Sequence, residues 1–257
     1  MLDKISTNAG WAMETSLDVE SAHAIAPNAK IILVEATTPS GKNLLAALDY
    51  ASTIKDAVSI SMSWGGAEFP EELNLDEHFK SVSSATFFAS SGDNGTGASW
   101  PASSPKVVSV GGTKINLDNS GKFLNETAWA GSGGGISQYE KQPDYQKLFV
   151  ISKANGMRAI PDVSYDADPV SGFPVFYKNS WTEVGGTSAG APQWAAIAAL
   201  GSVKNNSVLY ADKINDKNNS YFRDIVSGAN GDCGYVCDAR KKFDYVTGLG
   251  SPLTANF

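Results

Sequence analysis

Histidine, cysteine and charge are all scarce: two His, two Cys and 18% Asp, Glu, Lys and Arg among 257 residues. Cys233 and Cys237 stand as C-x3-C with no other Cys and no nearby His, so the four ligands of a structural zinc are not to hand. A small-loop disulfide is expected instead, with two free thiols as the other reading. Lys and Arg are few and scattered and the formal charge is −7, which argues against nucleic acid, since phosphates need a basic stripe. No apolar run is long enough to span a bilayer, which argues against a membrane protein. Met1-Leu2-Asp3-Lys4 has no apolar signal-peptide core, so no signal peptide is expected in this chain. A sparsely charged surface loses little when carboxylates protonate, which suits extracellular water or another acidic compartment.

What is present suffices for a sizeable core: 42% of residues are hydrophobic. No Pro/Ser-rich or charged linker divides the chain, so residues 1–257 are expected to form a single domain. The apolar spacing predicts helices over residues 15–26 and 43–54 and an exposed helix over 71–84. Strand-length apolar runs lie at 31–36, 58–63, 86–91 and 107–111. Strand and helix alternating in this way predicts an α/β fold around a mainly parallel sheet, with helices on both faces. Function in such sheets gathers beyond the carboxyl ends of the strands. Residues 119–157, rich in Gly and Ser, are expected to form a hairpin and long surface loops.

Three clusters carry chemistry. Gly185-Gly186-Thr187-Ser188-Ala189-Gly190-Ala191-Pro192 sets Ser188 at the start of an Ala-rich helix, where free N–H groups favour a developing oxyanion. A serine there can be a nucleophile or an ordinary helix cap. Glu14 and Asp18 are four residues apart on a helix, on one face and within reach of each other. Two carboxyl groups held so close do not readily both ionise, so the pair can take and share a proton. Ser90-Ser91-Gly92-Asp93-Asn94-Gly95 ends an apolar strand, and Asp-Asn-Gly is also strong turn chemistry.

Taken in order, these segments resemble the sedolisins, serine-carboxyl peptidases related to the subtilisin-like enzymes. The Ser188 motif is similar to that of both groups, but a subtilisin-like base needs His-Gly-Thr, and neither His23 nor His78 has that context. Residues 14–31 resemble the sedolisin E-x-x-x-D-x-E segment, and Ser90–Gly95 its S-[AS]-G-D-x-G. The resemblance implies a subtilisin-like fold, an acid-active serine endopeptidase and a polypeptide substrate. Ser188 is then the nucleophile, Glu14 its direct partner, Asp18 the group orienting Glu14, and Asp93 the oxyanion-hole residue. Asp93 can serve there only when protonated, because a carboxylate repels an oxyanion.

Ser61-Met-Ser-Trp64-Gly65-Gly66 and Gly133-Gly134-Gly135-Ile136-Ser137 are similar to segments lining the family's substrate groove, which implies Trp64, Gly65, Gly66, Gly134 and Gly135 as substrate-binding residues. Arg223–Gly231 and Phe243–Pro252 resemble its calcium loop, which implies one calcium ion held by the side chains of Asp224 and Asp244 and the carbonyls of Ile225, Arg240 and Lys242. The family usually has Gly-x-Gly-x-Asp where this chain has Arg240-Lys-Lys-Phe-Asp244. The resemblance further implies a monomer, and a propeptide and an early part of the catalytic domain, central strand included, that this chain would lack. A sheet without that strand would expose apolar surface, and the contrasting function is an inactive sedolisin-like module that binds or supports.

Overall fold

The computed structural model describes residues 8–201, 203–215 and 220–255. Helix α1 (Ala9–Ile25) begins where the Asn8 side chain accepts from the amides of Gly10 and Trp11, at 2.9 and 3.2 Å. It stops just before Pro27. Helix α2 (Gly41–Ser52), capped by Ser40, leads into β1 (Ser59–Met62), β2 (Gly66–Ala67), α3 (Glu72–Leu75), β3 (Thr86–Ser90), β4 (Ser99–Trp100) and β5 (Val107–Leu117). Then come β6 (Phe123–Ala128), β7 (Gly135–Lys141), α4 (Asp144–Phe149), β8 (Met157–Ile160), β9 (Val163–Asp166), β10 (Phe173–Tyr177) and β11 (Ser180–Val184). Helices α5 (Thr187–Ala199) and α6 (Asn206–Asn215) and strands β12 (Phe222–Arg223) and β13 (Ser251–Pro252) complete the described elements.

The central sheet runs β1, β3, β5, β9, all parallel, with β6 folded back antiparallel on the far half of β5. Its register aligns Ser59 with Thr86, Phe87 with Val107 and Val110 with Val163. Alternation along the strands divides the core. Phe88, Val108 and Val110 pack with Trp194 and Ile197 of α5, whereas Ile60, Met62, Phe87 and Val107 pack with Leu48 of α2. Helices therefore cover both faces, as the α/β pattern predicts. Ser59 Oγ reaches the carbonyl of Ala195 at 2.8 Å, and the Trp194 indole donates to the carbonyl of Ser164 at 3.0 Å, fixing α5 across the sheet. No described helix is long and apolar enough to cross a membrane.

Three sequence-based expectations fail for identifiable reasons. Residues 31–36 join no ladder: β1 is paired on one side only, by β3, and no described strand lies beside the run. Ile31, Ile32 and Leu33 are left 38, 46 and 50% exposed. The helix expected over residues 71–84 is the single turn of α3 followed by a 3-10 turn (Asp76–His78), and Ser84 sits at φ +61°, outside helical space. That stretch is anchored inward by the buried Glu72 and Phe79 rather than exposed. Residues 119–157 contain the expected hairpin, β5–β6, but its remainder is β7, α4 and β8 rather than surface loop. Gly133 and Gly134 serve close backbone approach: a Cβ on Gly134 would lie 2.0 Å from the carbonyl oxygen of Tyr245. Cys233 and Cys237 form the expected disulfide.

Candidate active site

Four segments meet at the carboxyl end of the sheet. Beyond β1 stands Ser63; beyond β3, Asp93; α5 begins with Thr187 and Ser188; and α1 lies against α5 through Leu17, Ala189 and Val175 of β10. The β10–β11 hairpin steadies α1 from outside, its Phe176 amide donating to Glu20 Oε2 at 3.0 Å and the Tyr177 hydroxyl to the carbonyl of Ala9 at 3.3 Å. Glu14 and Asp18, one turn apart, thereby face Ser188 and Ser63.

The contacts among these side chains are specific. Ser63 Oγ donates to Asp18 Oδ1 at 2.6 Å and lies 3.2 Å from the carbonyl oxygen of Ser188. Burial raises Asp18 to about 7, with the Ser63 hydrogen bond opposing and the charge of Glu14 adding to the rise. Glu14 is also raised, first by burial; a hydrogen bond with Ser188 pulls it back and the charge of Asp93 pushes it up. Its Oε1 is buried and takes no hydrogen bond. Asp93 Oδ1 accepts both the amide and the hydroxyl of Thr187, at 2.8 Å each, and Thr187 Oγ1 itself accepts the Gly92 amide at 3.1 Å. Gly186 at φ +111° makes this approach possible, since a Cβ there would stand 2.7 Å from Asp93 Oδ2.

A cleft of about 330 Å³ opens beside Glu14, lined by Asn8, Gly10, Trp11 and Ser63. Trp64 is half-buried and Gly65 and Gly66 are exposed, Gly66 pairing with Trp100 in the β2–β4 ladder. Gly134 and Gly135 differ from them. Both are buried; Gly134 gives its amide to Gly97 and accepts from the Gly97 amide, and Gly135 pairs with Ile160. Their backbone groups are thus engaged within the fold.

Of the histidines, His23 is exposed on α1, and His78 pairs with Asp49 at 2.6 Å. Two residues that the motifs contained but that had no assigned role, Ser63 and Thr187, hold Asp18 and Asp93. The signal was present in S-x-S-W-G-G and G-G-T-S, but a hydroxyl's partner across 45 or 94 residues is not written in local sequence.

The segments expected to hold calcium do come together. Asp224 accepts from the Lys242 amide at 3.0 Å through Oδ2, while its buried Oδ1 has no hydrogen-bond partner. Asp244 is buried and accepts from the amides of Arg240, Val246 and Thr247. The Arg240 guanidinium turns to Asp238 at 2.9 Å and to the Tyr235 ring at 4.4 Å, so its charge is answered away from the two aspartates. Ile225 is buried, and Lys242 is exposed at φ +72°. Among the described residues no three His, Cys, Asp or Glu side chains gather at metal-holding distances, so a cation here would depend on carbonyl oxygens. The orphaned Asp224 oxygen and the all-oxygen donor set fit a hard cation.

The description "Subtilase family" matches residues 6–220. Sedolisin of Pseudomonas sp. (strain 101) is 28% identical over 277 residues, covering 94% of this chain and 47% of the relative. Kumamolisin of Bacillus sp. (strain MN-32) is 31% identical over 272 residues, covering 93% and 49%. This chain thus spans about half the length of the curated relatives it matches. A solved Pseudomonas sedolisin (serine-carboxyl proteinase), complexed with two molecules of pseudo-iodotyrostatin, superposes with a TM-score of 0.83 at 29% identity, covering 97% of this chain and 78% of that one. The chain belongs to the subtilase family, and its relatives within that fold are the sedolisins.

Proposed function

We propose that this chain is an acid-active serine endopeptidase of the serine-carboxyl kind. The observation that carries the reading is the convergence of Glu14, Asp93 and Ser188 at the N-terminus of α5, with Asp18 behind Glu14. In this reading Ser188 Oγ attacks the carbonyl carbon of the scissile peptide while its proton passes to Glu14. Asp18, coupled to Glu14 by charge and oriented by Ser63, shares that proton. The oxyanion forms near Asp93. Because Asp93 Oδ1 already accepts twice from Thr187, Oδ2 is the oxygen left to carry a proton and donate. The proton on the carboxyl pair then goes to the leaving amine, and water releases the acyl group by the reverse sequence.

Trp64, Gly65 and Gly66 are the residues that line the groove, with Gly134 and Gly135 forming the buried wall. Calcium, when bound, would supply structural cross-linking of two loops through Asp224, Asp244 and the carbonyls of Ile225, Arg240 and Lys242. A polypeptide substrate, a propeptide partner, a monomeric state and an acidic or extracellular setting belong to the same reading. The exposed run at Ile31–Leu33 favours the contrasting reading, an inactive module whose apolar surface is covered by something else.

Hydrolysis of a denatured protein in acid, compared with Ser188→Ala, separates the two. Cleavage inside the substrate chain that is lost in the variant supports the endopeptidase. Release of tripeptides alone would replace that subtype, and no cleavage by folded protein would favour the inactive module.

A further inference from the structure

The loop that carries Asp93 is gripped from two sides. On one, the Gly133 amide donates to the Gly92 carbonyl at 2.7 Å and the Gly95 amide to the Gly131 carbonyl at 2.9 Å. On the other, the Thr96 amide donates to the Asn230 carbonyl at 2.9 Å. Glycine at 95 permits this approach: it lies at φ +77°, and a Cβ there would stand 2.6 Å from the Asn230 carbonyl oxygen.

Asn230 joins the two sides. It is 4% exposed, and its side-chain amide donates to the Ser132 carbonyl at 2.8 Å, between the residues that grip the loop from the first side. Its backbone amide donates to the Cys237 carbonyl at 3.0 Å. Cys237 is fully buried and bonded to Cys233, and its Sγ would lie 3.1 Å from a Cβ on Gly231. Cys233 Sγ stands 3.9 Å from Thr96 Oγ1. The disulfide-closed loop therefore lies against both Asn230 and the far end of the Asp93 loop.

We propose that Asn230 is a positioning residue for Asp93, and that the Cys233–Cys237 loop holds Asn230 in place. This rests on the function proposed above, in which Asp93 Oδ2 donates to the oxyanion. An oxyanion donor acts only within about 2.7–3.1 Å of the oxygen formed in the transition state. A displacement of about 1 Å, even from a change remote from the chemistry, can cost on the order of a hundredfold. Thr187 fixes the carboxyl group of Asp93 through Oδ1. Asn230 fixes the backbone from which that side chain springs, by tying residue 96 to residue 132.

The test is kcat and KM for a peptide substrate in acid, with Asn230→Ala made in the parent and in an Asp93→Ala background. In the parent, kcat should fall about tenfold with KM within about twofold, less than the 10² to 10³ typical of a lost oxyanion donor. In the Asp93→Ala background the same change should cost less than about twofold, because the group it positions is already gone. Leu48→Ala, a core change beneath α2, should lower Tm without this kcat pattern. Should Asn230→Ala fail to fold, paired Cys233→Ser and Cys237→Ser changes leave Asn230 present and should give the same kcat-only loss, smaller and again absent in the Asp93→Ala background. Equal losses in both backgrounds, a loss confined to KM, or an unchanged kcat would overturn the proposal. Amide hydrogen exchange in Ser188→Ala protein needs no activity: Asn230→Ala should speed exchange at residues 95–97 while β3 and β5 stay protected. An inactive parent overturns the proposed function, and exchange at 95–97 then decides alone whether Asn230 holds the loop: accelerated exchange supports that role and unchanged exchange overturns it.

Discussion

Thr187 donates both its backbone amide and its hydroxyl to one oxygen of Asp93, at 2.8 Å each. A residue adjacent to the candidate nucleophile thus decides which Asp93 oxygen remains available, and it does so from the first turn of α5. Removing the hydroxyl with Thr187→Val should lower kcat about tenfold to a hundredfold with KM little changed, less than the 10² to 10³ typical of a lost oxyanion donor. Thr187→Ser, which keeps the hydroxyl, should restore most of it. Equal losses in both variants would mean that Thr187 serves only packing.

Ser63 lowers Asp18 by its hydrogen bond. Ser63→Ala therefore leaves Asp18 still higher, and the limb of the pH–rate profile set by the Glu14–Asp18 pair should move to higher pH. Ser63→Thr should leave that limb in place. The check is kcat/KM across acid and neutral pH; an unmoved limb in Ser63→Ala would detach Ser63 from the proton chain.

How much of this was legible in the sequence depends on whether the determining contact is local. Glu14 and Asp18 are four residues apart on one helix, so their pairing follows from helical geometry. The placing of Asp93 beyond a buried strand, and of Ser188 at a helix start after two glycines, follows from similarly local signals. The 31–36 run could not be resolved this way: an apolar run of strand length says nothing about whether a strand lies beside it, and here none described does. Glu72 falls in the run expected to form an exposed helix, and a carboxylate usually seeks water. Its burial depends on Ser103, thirty-one residues away. The requirement for glycine at 134 is set by Tyr245, more than a hundred residues away, whose carbonyl leaves no room for a Cβ.

Asp162, just before β9, answers the fully buried Arg158 through two hydrogen bonds, while also accepting from the Ser109 amide and the Tyr210 hydroxyl. Asp162→Ala would leave a guanidinium without a counter-ion in the core. A loss of about 3–5 kcal/mol is expected. Guanidinium denaturation checks it, and a loss below about 1 kcal/mol would contradict the structural role given to the pair.

Asp224 offers a buried oxygen with no partner at the edge of the proposed calcium loops. Chelator should lower the Tm of Ser188→Ala protein, and added calcium should restore it, by an amount set by its affinity. Asp224→Asn should abolish the response. A Tm indifferent to both chelator and calcium would remove the ion from the account.

The central claim is that carboxyl groups, not histidine, run a serine nucleophile here. Glu14 and Asp18 are both raised by burial, and only a protonated Asp93 can donate to an oxyanion. The most direct measurement is the rate of cleavage of a denatured protein from pH 3 to 8, with Glu14→Gln and His23→Ala alongside. The account predicts an acid optimum, activity lost toward neutral pH, near-complete loss in Glu14→Gln and an unaffected His23→Ala. A maximum near pH 7 that survives Glu14→Gln and collapses in His23→Ala would contradict it.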